Sequence, residues 1–101
     1  MLRHIVAWNL KDGLTDEEKR EHAKAIQSEL EALQQSIDEI VELHVHIDLL
    51  PSSDREVVLD SLFESEAALM AYQVHPEHQR VVGIVKESTQ DRVCMDYFES
   101  V

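Results

Sequence analysis

The sequence predicts an α+β fold of the ferredoxin-like type, β-α-β-β-α-β, with a four-stranded antiparallel sheet and helices on one face. Two observations lead there. Apolar residues alternate with period two in some stretches and recur at steps of three and four in others. The order of these stretches, with right-handed crossovers, leaves this arrangement as the economical one. A third observation concerns assembly. The first and last strands carry apolar side chains on both sides, although the helices cover only one. A bare apolar sheet face is a patch that monomers avoid. A second copy, sheet against sheet, would cover it and close the edges.

Residues 2–10 form the first strand, with His4, Val6, Trp8 and Leu10 on one side and Ile5, Ala7 and Asn9 on the other. Lys11-Asp12-Gly13 supplies the turn. Thr15-Asp16-Glu17-Glu18 has the spacing of a capping box. Ala23, Ile26, Leu30, Leu33 and Ile37 then mark the buried face of an amphipathic helix over 16–36. Residues 40–49 alternate again. Val41, Leu43, Val45 and Ile47 make an apolar side, and Glu42, His44, His46 and Asp48 the opposite one. Pro51-Ser52-Ser53-Asp54 connects to a third strand over 56–63.

Ser65 caps a short helix over 66–73, with Leu69 and Tyr72 on one face. His75-Pro76 breaks it, because the residue before proline is pushed out of the α region. Pro76 then suits the first position of a helix over 76–87, with His78, Val81, Val82 and Val85 inward. Gly83 is unfavourable there, and close approach of another backbone would explain it. The last strand, 91–98, puts Val93, Met95 and Tyr97 on one side, Cys94 and Phe98 on the other.

The chain has 101 residues, 9 basic and 21 acidic, for a net charge of −12 with histidines neutral. That length predicts one domain over residues 1–101. The acidic balance argues against nucleic acid and against an anionic membrane. Cys94, the one cysteine, excludes an internal disulfide and points to a reducing compartment. The first ten residues are too short and polar an apolar run for a signal or a membrane span. The expected location is the cytoplasm.

An opening Arg3-His4-Ile5-Val6 strand, the segment Tyr72-Gln73-Val74-His75-Pro76-Glu77-His78 and a closing Asp96-Tyr97 strand resemble the stress-responsive A/B barrel (Dabb) family. The likeness spans about residues 2–98, and Tyr-x-x-His-Pro-x-His is its most specific part. The resemblance implies a homodimeric α+β barrel. It implies little about chemistry, since most such proteins have no assigned reaction. One plant branch closes a polyketide ring, with a tyrosine and a histidine of this motif as acid and base. These match Tyr72 and His78, and a first-strand histidine near the substrate matches His4. A further histidine lining that branch's cavity would fall near Val57, so this chain departs from the pattern there.

Two readings follow. One is a homodimer that binds a small hydrophobic or carbonyl-containing ligand between sheet and helices. The contacts expected are His4, Val6, Trp8 and His75, with no cofactor and no metal. The alternative is a cofactor-independent lyase or cyclase with Tyr72 and His78 as catalytic residues. At the positive end of a helix, His78 is expected neutral and able to act as a general base. Tyr72 and His78 lie six residues apart. One continuous helix would set them on different faces, so their convergence needs the break at His75-Pro76. Structural roles compete with these: Tyr72 as helix–sheet packing, His75 as a turn residue, His4 as a core histidine. His44 and His46 share a strand face, but ligands on one flat strand converge poorly, so no required metal is expected there. Trp8 and Asn9 are adjacent on a strand and point to opposite faces. That argues against a monooxygenase-type site needing both. Cys94 is expected as a buried thiol and not as a nucleophile.

Overall fold

The computed structural model describes residues 1–100. In chain order the elements are β1 (Leu2–Leu10), α1 (Asp16–Glu31) with a 3-10 turn (Ala32–Gln35), β2 (Ile40–His46), β3 (Val57–Phe63), α2 (Glu66–Val74), α3 (Pro76–Ser88) and β4 (Thr89–Phe98). The four strands form one antiparallel sheet in the order β2-β3-β1-β4. This is the predicted ferredoxin-like fold. His4 stands opposite Ser61 of β3 and Asp96 of β4, and Val6 opposite Leu59 and Cys94. Those side chains share the sheet face that meets the helices.

Local chemistry sets the helix ends. Glu18 N donates to Thr15 Oγ1 at 3.1 Å and Thr15 N to Glu18 Oε1 at 3.0 Å, which completes the capping box. Ile26 and Leu30 are buried on α1 as the periodicity requires. Regular α-helix ends at Glu31, not at 36, and the tighter 3-10 turn carries the chain on. Leu33 and Ile37 stay in the core, so the apolar spacing survives the change of helix type.

Several strand details differ from the sequence reading. β2 ends at His46, and Ile47 leaves the sheet while still packing on the core. At its start, Ile40 pairs with Phe63 and Glu42 with Leu62, so β2 bulges at Val41. The extra residue breaks strict alternation. Ile40 takes the place at the core, and Val41 is left 45% exposed instead of joining the apolar face. Cys94 is exposed as well, because β4 is an edge strand and is exposed from Asp91 onward. Gly83 has nothing within 4 Å of a hypothetical Cβ, so no close backbone explains it.

Candidate functional site

Between the sheet and helices α1, α2 and α3 lies a cavity of about 400 Å³. Val6, Trp8 and Leu59 supply its sheet side, and Leu30, Val82 and Val85 its helical side. His4, Tyr72 and His78 line its polar end. His75 does not line it. That residue ends α2 and caps α3, with its Nδ1 accepting from Glu77 N at 3.1 Å. Its extended backbone (φ −63, ψ 134) redirects the chain, and this lets Tyr72 and His78 meet.

The rings of Tyr72 and His78 stand 4.3 Å apart, centre to centre. Tyr72 also packs on Phe63 at 4.9 Å and edge-on to His4 at 6.3 Å. It is fully buried, and among the described residues no group hydrogen-bonds its hydroxyl. Burial pushes the phenol well above its ordinary pKa, so it stays protonated and can donate. A buried donor without an acceptor costs about 1–3 kcal/mol.

His78 Nδ1 donates to the Gln73 carbonyl at 3.0 Å, in the last turn of α2. Its Nε2 then carries the lone pair. Burial lowers its pKa, and the neighbouring basic groups of His4, Arg92 and His75 lower it further, against the opposing effect of the Gln73 carbonyl. His4 Nδ1 contacts the Asp96 carboxylate across the β1–β4 pair. A carboxylate only accepts, so Nδ1 carries the hydrogen. Cys94 Sγ lies 3.8 Å from His4 Nδ1 and 3.7 Å from Asp96 Oδ2. Partial desolvation of the sulfur raises the pKa of that thiol and Asp96 raises it further, against the opposing effect of Arg92, so the thiolate is disfavoured.

Among the described residues, His4, Cys94 and Asp96 are the donors close enough to share a cation, all within 4.8 Å. His44 and His46 sit exposed on β2 and bring no third donor. Trp8 and Asn9 point apart: Trp8 lines the cavity, and Asn9 Nδ2 donates to Asp91 at 3.0 Å. The sequence reading missed Asp96 and Gln73 as partners of the two histidines. Asp96 could have been found from strand parity, since Cys94 and Asp96 share a side of β4. Its pairing with His4 required the register.

A ferredoxin-like sheet with a mixed polar and apolar cavity under its helices is the class of protein these features define. The chain belongs to the stress-responsive A/B barrel domain (Dabb) family, whose profile matches residues 2–99. A dimeric protein of unknown function with a ferredoxin-like fold, from Bacteroides fragilis, is 30% identical with a TM-score of 0.87; the match covers 95% of this chain and 93% of that one. A dimeric ferredoxin-like protein of unknown function from Thermobifida fusca is 24% identical with a TM-score of 0.80, covering 95% and 88%. A hydroxynitrile lyase from Passiflora edulis is 20% identical with a TM-score of 0.81, covering 98% and 93%. These last two show the fold alone. Comparison with proteins of curated function returned no match. Among the described residues, no helix is long and apolar enough to cross a membrane.

Proposed function

We propose that this chain acts as a homodimer that binds a small, largely apolar, carbonyl-containing ligand in the cavity between sheet and helices. One observation carries the reading: a cavity of about 400 Å³ lined by Tyr72, whose fully buried hydroxyl has no hydrogen-bond partner among the described residues. Ligand sites have this character, apolar walls with a few placed polar groups. A ligand carbonyl is the acceptor that Tyr72 lacks. Trp8 is the chain's one tryptophan and lines the cavity, so its fluorescence reports occupancy. Titration with 2-nonanone should give a saturable change. Tyr72→Phe should weaken binding by up to about tenfold, the size of one neutral hydrogen bond. A wild-type protein with no saturable response would overturn the reading.

The lyase or cyclase reading is supported by the pairing of Tyr72 with His78. A lowered pKa keeps the imidazole neutral at pH 7, with Nε2 as a base. Proton abstraction beside the carbonyl is the step such a pair can perform, with Tyr72 donating to the developing enolate oxygen. In deuterated water the wild type should exchange the α-hydrogens of bound 2-nonanone faster than buffer does, and His78→Ala should not. Exchange no faster than buffer leaves the binding reading alone.

A further inference from the structure

The mouth of the cavity carries charge with no role so far. Lys86, in the last turn of α3, and Arg92, on β4, both line it. Among the described residues neither has a carboxylate within 4.0 Å. On a chain with 21 acidic and 9 basic side chains, this cavity is lined by two fixed cations and by no carboxylate.

The backbone aims Arg92. Leu10 pairs with Thr89, Asn9 with Gln90, and then Ala7 with Val93. The two steps from Asn9 to Ala7 are matched by three along β4, so one residue is extra. Asp91 takes φ 56, the left-handed region that side-chain-bearing residues disfavour. It is held there by Asn9, which donates to its carboxylate at 3.0 Å, and by Arg55, which donates to its carbonyl at 2.8 Å. Strict alternation from buried Thr89 would point residue 92 away from the helices. The bulge reverses the parity of β4, and Arg92 faces the cavity instead. A bulge that re-aims a side chain beside a cavity is a common device of binding sites.

We propose that the cavity takes an amphipathic monocarboxylate, its apolar body between sheet and helices and its carboxylate at the mouth against Arg92 and Lys86. This rests on the cavity being a ligand site, and names the class of ligand. The planar guanidinium matches a carboxylate with two parallel hydrogen bonds, and the ammonium adds a point charge. The other polar groups of the cavity are the Tyr72 phenol, the His4 and His78 imidazoles, the Gln73 amide and the Trp8 indole, none of them a fixed charge. One ligand charge is therefore met, and the net charge of −12 repels polyanions.

The test compares octanoate with octanamide, equal in length and differing in charge, on the full chain with Trp8 fluorescence. Octanoate should bind about tenfold more tightly or better. Arg92→Met keeps an apolar stem and should remove that preference, with octanamide affinity held within about twofold. Arg92→Lys should recover part of it. Equal affinities in the wild type, or equal losses of both probes in Arg92→Met, overturn the carboxylate proposal and leave the ligand site standing. If neither probe binds, the ligand site itself fails, and the proposal falls with it.

Discussion

His78 has its proton placed by a backbone carbonyl and its charge opposed by burial, and the sign of the second effect can be measured. Its pKa in the folded chain lies below the ordinary 6.5, mainly through desolvation. Between those two values the unfolded chain holds the extra proton. Stability is then full above about pH 6.5 and falls as the pH drops toward the folded pKa, below which this contribution is flat. Thermal melts from pH 8 to 5 should therefore show a decline that is shallower in His78→Gln. Parallel declines would mean that the imidazole does not carry the effect. The residues differ in how readable they were. Tyr72 and His78 are six apart around a proline, so the local break at His75-Pro76 made their convergence readable. Asp96 and Cys94 meet His4 across 92 and 90 positions of sequence, where the β1–β4 register decides. Cys94 was expected buried. Which face it lies on was legible, but the lack of cover over an edge strand was not.

At the scale of elements, local chemistry was legible and irregularity was not. The capping box of α1, the Ser65 cap of α2 and the proline start of α3 all form from neighbouring residues. The bulges at Val41 and Asp91 arise from pairing between strands, and apolar alternation carries no mark of them. They matter for function, because the second one sets where Arg92 points. Gly83 offers a clean test of α3. It is exposed within the helix, and a Cβ would meet nothing within 4 Å. Gly83→Ala should stabilise the chain by about 0.8–1 kcal/mol through helix propensity. That raises the melting temperature by about 4–8 °C for a domain of this size. A lower melting temperature would mean that something packs on Gly83 in solution.

For the whole molecule, the two sheet edges are treated differently. Side chains of α1 and the 3-10 turn occupy the free edge of β2. Gln27 donates to the Val45 carbonyl at 2.9 Å, while Glu31 and Gln34 accept from the amides of Val45 and Leu43 at 3.0 and 3.2 Å. An edge blocked in this way cannot pair with another chain. β4, at the other edge, is exposed from Asp91 to Phe98. On the sheet face away from the helices, Arg3 ties Glu42, Asp60 and Glu99 into an ionic cluster at one end. Beside it Val93, Met95 and Tyr97 stand 36%, 57% and 48% exposed. A hollow of about 560 Å³ near Ala7, Val58 and Met95 makes this face concave.

Such a face calls for a cover, and in the proposed homodimer a second copy of the chain would supply one with matching chemistry. The 30% identical relative from Bacteroides fragilis is described as dimeric. Charge gives the expected dimer a signature. Each copy carries −12, so association brings two strongly acidic bodies together. Apolar burial must outweigh that repulsion, and salt weakens repulsion beyond about 10 Å at 0.1 M. Sedimentation should therefore show a dimer of twice 11.6 kDa that tightens as salt rises from 20 to 300 mM. An interface held by ion pairs would loosen over the same range. Met95→Asp should release monomer, because one substitution places a new buried charge in each copy. A wild-type chain that stays monomeric at micromolar concentration in 300 mM salt would refute the dimer.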